Sequence, residues 1–154
     1  MKISDLLNED NVIAELEVDT KEEAIKSLVS TIPATVGEDV INASLKAVLE
    51  RESVMSTGVG KGLAIPHGRV KGVTENYVGF AKLAKPLDYG SIDQKPVNMV
   101  FLLIGPETQS SLHIKLLSRI SKLMNNDEFR DKVAQCKDAA AIVEAFKHEE
   151  SLYA

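Results

Sequence analysis

The feature that most constrains the fold is the longest apolar run in the chain, residues 99–104. A helix that spans a bilayer needs about 20 such residues, so this run is far too short to cross a membrane. Together with Val97 and Asn98 it predicts a strand over 97–104 that is covered on both faces, as central strands of layered α/β proteins are. The flanking sequence must therefore supply the helices that cover it.

Helical periodicity dominates both ends of the chain. Thr20 and Glu23 form a capping box that opens a first helix, and a second is predicted over 38–51 with Arg51 at its C-terminal end. The helical period returns after residue 110, and two shorter helices are predicted to have Asp127 and Asp138 as N-caps.

The middle of the chain indicates strands, because glycine and proline punctuate it and the apolar period shortens. The predicted strands cover residues 12–16, 63–65, 77–83 and 97–104. Helices around central strands, with no linker or repeat in 154 residues, predict a single α/β domain over 1–154 in which helices flank a layered sheet. We expect one core, and periodicity does not give the strand order.

Charge and cysteine content exclude several function classes. The net charge is −5 and the 18 Lys and Arg residues are scattered, so the counterion release that drives nucleic-acid binding is missing. The single cysteine, Cys136, excludes an intrachain disulfide and a cysteine-rich zinc site, and we interpret it as a small, semi-buried residue. We also expect no apolar leader, because the first residues run straight into mixed polar sequence. We expect a cytoplasmic protein without nucleic-acid binding or membrane insertion.

A glycine-rich segment at 56–62 is the first candidate for chemistry. It matches neither the Walker A pattern, since Lys61 is followed by glycine, nor the dinucleotide fingerprint. Two interpretations stay open. Thr57, Gly58 and Gly60 either position a phosphate through backbone N–H groups, or they belong to a flexible loop.

The strongest candidate is His67, which follows the predicted strand 63–65 and is predicted to stand at its end. Pro66 stiffens the backbone before it, and Gly68 after it leaves room for a partner or substrate to approach the imidazole. The alternative is a histidine that is only exposed or hydrogen-bonded.

The second histidine, His113, shares a helix face with Leu116 and Ile120, so it is predicted to point inward. In the first turn, the helix dipole lowers the pKa of its imidazole and favours the neutral form. A buried core histidine explains the same pattern equally well. His148, in the polar C-terminal region, is predicted to be exposed.

Together His67, His113 and Arg51 suit phosphoryl transfer. A neutral imidazole is a competent nucleophile near pH 7, and arginine, a second histidine and backbone N–H groups can stabilise the phosphoryl oxygens. Asp and Glu do not accompany them at metal-ligand spacing. We therefore expect transfer without a metal or other cofactor.

These residues carry a family resemblance. The segment 56–68, Ser-Thr-Gly-Val-Gly-Lys-Gly-Leu-Ala-Ile-Pro-His-Gly, resembles the signature of the type-2 EIIA domains of the phosphoenolpyruvate-dependent phosphotransferase system. This mannitol and fructose branch includes the nitrogen-regulatory IIA protein. The resemblance extends over nearly the whole chain, through Arg51-Glu52, Pro96-Val97, Gly105-Pro106 and residues 112–117.

The resemblance implies a mixed central sheet flanked by helices and a phosphohistidine relay. His67 would accept a phosphoryl group from the phosphocarrier HPr and pass it to a IIB domain, with Arg51 and His113 as supporting residues. Val59 and Lys61 stand where Ile and Asn are usual, and the added charge of Lys61 is expected to affect partner preference rather than chemistry.

Two functions fit this resemblance. One is a phosphotransferase relay for sugar uptake; the other is a regulator whose His67 phosphorylation state decides which regulatory protein it binds. Gly68-Arg69 looks more like the nitrogen-regulatory group. A domain that binds a small anion without turnover would require the resemblance to be accidental.

Overall fold

A six-stranded mixed sheet organises the chain in the computed structural model, which describes residues 1–153. The strands are β1 Val12–Leu16, β2 Gly58–Gly60, β3 Leu63–Ala64, β4 His67–Val70, β5 Tyr77–Leu87 and β6 Val97–Pro106. The helices are α1 Lys21–Val29, α2 Glu38–Val54, α3 Ser110–Met124, α4 Asp127–Gln135 and α5 Ala139–Ser151. Short 3₁₀ turns cover Ile3–Asp5 and Ala34–Val36.

The apolar segment predicted to be central, β6, is the strand with the most neighbours. The sheet order is β1-β5-β6-β3-β2, and β4 also pairs with β6. β5 runs antiparallel to β6, whereas β3 and β4 run parallel to it. Leu63 lies opposite Met99 and His67 opposite Leu103, so β3 and β4 line up along one edge of the same strand. The mixed α/β architecture is confirmed.

Two short strands escaped the sequence analysis. β2 is glycine-rich and β4 lacks an alternating apolar pattern, because pairing within the sheet, rather than local propensity, makes them extended. The predicted strand 63–65 is shorter and β5 is longer than expected. Because β3 ends at Ala64, His67 does not stand at the end of that strand, contrary to the prediction; it is the first residue of β4.

The helix boundaries follow their caps. Thr20 Oγ1 accepts a hydrogen bond from the Glu23 amide, which is one of the two bonds of the predicted capping box, and Asp138 caps α5, as predicted. Asp127 is not an N-cap: the Asn126 side chain accepts from the Phe129 amide, and Asp127 is the first residue of α4. Asp suits that position because a carboxylate there interacts with the positive end of the helix dipole.

The sheet divides the expected core into two apolar layers. One layer packs against α1 and α2, and the other against α3, α4 and α5. The second contains a cluster of four phenylalanines in tilted or edge-to-face contact, Phe80, Phe101, Phe129 and Phe146. Cys136 is half-buried, as predicted. Within residues 1–153, no helix has the length and apolar character needed to cross a bilayer.

Phe146 is fully buried and contacts the three other rings, so truncating it leaves a cavity between α5 and the sheet. Phe146→Ala is expected to lower the free energy of unfolding by about 3–5 kcal/mol in urea titrations. The exposed Ile92→Ala serves as the control, with a change below about 0.5 kcal/mol. Equal losses in the two variants would contradict the assignment of this cluster as the packing centre.

Candidate active site

His67, His113 and Arg51 come together around one open cavity of about 630 Å³ between α2, β4 and α3. The cavity is lined by Ala47, Glu50, Arg51, Val54, His67, Gly68, Arg69, Glu107, His113, Ile114 and Leu117. Three separate parts of the chain thus meet here and bring together the three residues that the sequence predicted for phosphoryl transfer.

The His67 imidazole is held by the backbone just before it. Its Nδ1 lies 2.8 Å from the carbonyl oxygen of Ile65. Because a carbonyl only accepts, Nδ1 carries the proton in this bond, which leaves the lone pair of a neutral ring on Nε2. The Pro66 carbonyl accepts from the Leu103 amide at 3.1 Å, so β6 anchors the segment that carries the histidine.

Burial favours the neutral form of His67 and lowers its pKa below the usual 6.5. The positive charge of Arg51 lowers this pKa further, while the bond to Ile65 and the carboxylate of Glu52 raise it. The net shift is downward. His67 is therefore mainly an uncharged imidazole at neutral pH, the form that can act as a nucleophile.

His113 faces inward from the first turn of α3, as predicted, and is only 5% exposed. The ring centroids of His67 and His113 are 5.8 Å apart. The pKa of His113 is lowered to about 4, first by burial and then by the neighbouring charges of His67 and Arg69. The direction of this shift agrees with the prediction from sequence, but its main cause is burial and not the helix dipole.

Arg51 stands in the last turn of α2, where its Nη1 donates to the Met55 carbonyl at 2.8 Å. The next residue, Glu52, is buried and binds the loop that follows the helix. Its carboxylate accepts from the Thr57 amide at 2.8 Å, from the Thr57 hydroxyl, and from the Tyr89 hydroxyl at 2.9 Å. This network fixes the end of the helix that presents Arg51 to the cavity.

The backbone of the glycine-rich loop does not face the His67 cavity, as phosphate binding by this loop would require. Thr57 is bound to Glu52, and the Gly58 amide donates to the Ser56 hydroxyl. Neither Thr57, Gly58 nor Gly60 lines the His67 cavity. The ammonium group of Lys61 donates to Asn125 Oδ1 at 2.8 Å, at the end of α3. Phosphate positioning by Thr57, Gly58 and Gly60 therefore gains no support from their placement.

Gly68 is needed for helix packing rather than for access to the imidazole. A Cβ at this position would lie 3.3 Å from Val48 Cγ2 and 3.5 Å from the Val48 amide nitrogen. The expectation that Gly68 leaves space for a substrate is corrected: that space is filled by α2.

Arg69 also lines this cavity and was not predicted from the sequence. His67 and Arg69 are two residues apart on β4, so their side chains leave the same face of the sheet. The Arg69 guanidinium donates to the hydroxyl of Ser110 at the start of α3. The i, i+2 spacing would have identified it had β4 been recognised as a strand. Tyr89 was also missed, because its partner Glu52 is distant in sequence.

No group of three or more His, Cys, Asp or Glu side chains among residues 1–153 is arranged to hold a metal ion. The third histidine, His148, is exposed on α5, as predicted.

The family described as "Phosphoenolpyruvate-dependent sugar phosphotransferase system, EIIA 2" matches residues 5–149. A nitrogen regulatory protein from Bradyrhizobium diazoefficiens is 34% identical over 142 residues, which cover 92% of each chain. The fructose-specific EIIABC component of Bacillus subtilis is 31% identical over 94% of this chain, which corresponds to 23% of that longer protein.

Solved structures share the fold. The nitrogen regulatory protein IIA-Ntr from Neisseria meningitidis superimposes with a TM-score of 0.85 at 24% identity, covering 94% of this chain and 98% of that one. The mannitol enzyme IIA of Escherichia coli, in its complex with phosphorylated enzyme IIB, gives 0.77 at 20% identity over 92% and 97%. The chain belongs to the type-2 EIIA family of the phosphoenolpyruvate-dependent sugar phosphotransferase system.

The low pKa of His113 predicts a pH-dependent stability. Between its unfolded pKa near 6.5 and its folded pKa of about 4, the unfolded chain binds more protons, so acidification favours unfolding. The contribution of His113 is present above about pH 6.5 and falls by about 3 kcal/mol as the pH drops to 4. Urea titrations across this range should show a steeper loss for the wild type than for His113→Gln.

His148→Gln is the matched control, since the same substitution is made at an exposed histidine. It should retain the wild-type pH dependence. If His113→Gln retained it too, His113 would not be buried in its neutral form.

Proposed function

We propose that this protein is a phosphoryl-relay IIA component, which accepts a phosphoryl group on His67 from an HPr-type phosphocarrier and passes it to a IIB domain for sugar uptake. The observation that carries this proposal is the His67 ring itself: its Nδ1–H is bound to Ile65, and its other nitrogen is free at an open cavity. Family membership supports the same chemistry. Such a relay works in the cytoplasm and needs no metal or other cofactor.

The chemical step is an in-line displacement at phosphorus. The Nε2 lone pair of His67 forms the new N–P bond as the bond from phosphorus to the donor's histidine nitrogen breaks, and that nitrogen leaves with the electron pair. The Nδ1 proton stays on the ring, held by the Ile65 carbonyl. A protonated imidazole is a good leaving group, so the same hydrogen bond prepares the group for transfer onward.

Cationic and neutral donors surround the transferred group. Arg51 and Arg69 line the cavity from two sides, and the guanidinium fork suits two phosphoryl oxygens at once. His113 closes the inner wall. Because the site is partly shielded from water, these charges act more strongly on the transition state than they would in solution.

The rim of the cavity suits a protein partner rather than a small molecule. Val54 on α2 is 81% and Ile114 on α3 66% exposed, and both line the cavity. Exposed apolar side chains beside the site offer contact area to a protein partner. HPr and the IIB domain would each bring a phosphohistidine or an acceptor residue to the same opening, one after the other.

Regulation is the second candidate, supported by the nitrogen regulatory protein that aligns over 92% of both chains. In that case the phosphoryl group on His67 changes the charge at the rim, and this charge decides which regulatory protein binds. Incubation with phosphoenolpyruvate, enzyme I and HPr, with and without a candidate IIB, distinguishes the two. Rapid transfer to IIB supports the relay, whereas a stable phosphoprotein in its presence favours regulation.

His67→Ala is expected to accept no phosphoryl group from HPr, because the other imidazole at the cavity, His113, is only 5% exposed and cannot reach a donor outside the opening. Labelling with ³²P from phosphoenolpyruvate measures this directly. His148→Ala, the exposed control, should label as the wild type does. Acid-labile label on the His67→Ala protein would refute the assignment of the acceptor.

Arg51→Lys keeps the charge but loses the planar fork, so transfer to His67 should slow about 10- to 100-fold with little change in thermal stability. The rate is measured by quenched-flow labelling. Arg119→Lys makes the same substitution on α3 away from this cavity and should transfer at the wild-type rate. A normal rate in Arg51→Lys would rule out a role for the fork.

A further inference from the structure

Two buried polar atoms without hydrogen-bond partners lie next to the active site. Asn76, just before β5, and His113 are 8% and 5% exposed. Asn76 Oδ1 and His113 Nδ1 are both buried and have no hydrogen-bond partner among the described residues. An unpaired buried polar atom costs free energy, so two such atoms beside one site require an explanation.

The two atoms border the same small space, at the position that a Cβ on Gly105 would occupy. A Cβ on Gly105 would lie 2.6 Å from Asn76 Oδ1 and 3.2 Å from His113 Nδ1. Gly105 pairs with Arg69 of β4, and the adjacent Ile104 pairs with Tyr77, the residue after Asn76. The end of β6 therefore brings the amide and the imidazole together, and the absence of a side chain at 105 leaves the space between them open.

We propose that Asn76 is a positioning residue for His113: a small rotation of the Asn76 side chain across the open space beside Gly105 lets its Oδ1 accept the Nδ1 proton of that imidazole, which directs Nε2 toward the phosphoryl group on His67. This inference rests on the proposed function for its consequence, but the pairing itself is expected in the unphosphorylated protein. A proton on Nδ1 satisfies both buried atoms at once, because an amide oxygen is an acceptor only.

The pairing has a consequence for the charged form of His113. When a phosphoryl group arrives, its negative charge favours uptake of a solvent proton on Nε2, and the resulting N–H donates to a phosphoryl oxygen. Asn76 then already binds the other N–H of the imidazolium, so neither donor is left unpaired. An apolar residue at position 76 would leave the buried Nδ1–H without an acceptor.

Other charged and titratable groups also affect the pKa of His113. His113 shares its cavity with titratable or charged side chains from β4, α2 and the segment after β6, namely His67, Arg69, Glu50, Arg51 and Glu107. Burial, His67 and Arg69 hold its pKa down to about 4 in the unphosphorylated protein. Asn76 is uncharged and does not line the cavity, so its contribution can be changed without altering those groups.

The test is ¹⁵N NMR of the histidine side chains, of which the chain has 3. The signals are assigned with His67→Ala, His113→Gln and His148→Gln. In the wild type at neutral pH, His113 should be the tautomer with its proton on Nδ1. Asn76→Asp should raise the midpoint of the His113 titration by about 1–3 pH units, because a carboxylate replaces the neutral acceptor. Asn42→Asp, at an exposed position on α2, is the charge-matched control and should leave it unchanged.

Asn76→Leu removes the acceptor at similar size. It should shift His113 toward the Nε2–H tautomer and slow phosphoryl transfer to His67 about 10-fold or more. A wild-type His113 that carries its proton on Nε2 would overturn the proposal, even if no variant folded. So would a titration unaffected by Asn76→Asp. If the tautomer responds to position 76 while His67 takes up no phosphoryl group, the pairing stands and the proposed function fails.

Discussion

The pairing of β4 with β6 is the constraint on which the site depends. β3 and β4 follow the same strand in parallel, with Ile65 and Pro66 between them, and Leu103 binds the Pro66 carbonyl. This backbone path turns the Ile65 carbonyl toward the His67 ring and fixes which nitrogen is free. The apolar run of β6, buried on both faces, therefore sets the chemistry as well as the core.

Burial determines the charge state of the two histidines in the site. The two imidazoles stay neutral because they are shielded from water and lie near arginines, so both have lowered pKa values. In the proposed relay, a dianionic phosphoryl group on His67 would reverse this balance, because it would compensate the arginine charges and favour protonation of His113. The site disfavours additional positive charge in its unphosphorylated form and would favour the negative charge of a phosphoryl group.

Much of this could be predicted from sequence, for reasons that differ by residue. His113 was placed correctly because its helix face is periodic, and Arg51 because it ends a helix. Arg69 and Tyr89 could not be found in this way, since each contacts a partner that only sheet pairing or a turn brings near, and the role proposed for Asn76 depends on such a partner too. Gly68 was misinterpreted because a glycine beside a functional residue serves packing as readily as access, and only the position of Val48 decides between them.

The measurement that tests the account most directly is the identity of the phosphorylated nitrogen. The ¹⁵N-histidine-labelled protein is phosphorylated with phosphoenolpyruvate, enzyme I and HPr, and the ¹⁵N–³¹P coupling identifies the atom bonded to phosphorus. Because Ile65 holds Nδ1–H, the account predicts Nε2 of His67, with the Nδ1 proton still present. A phosphoryl group on Nδ1 would contradict it, since that product requires the bond to Ile65 to be broken.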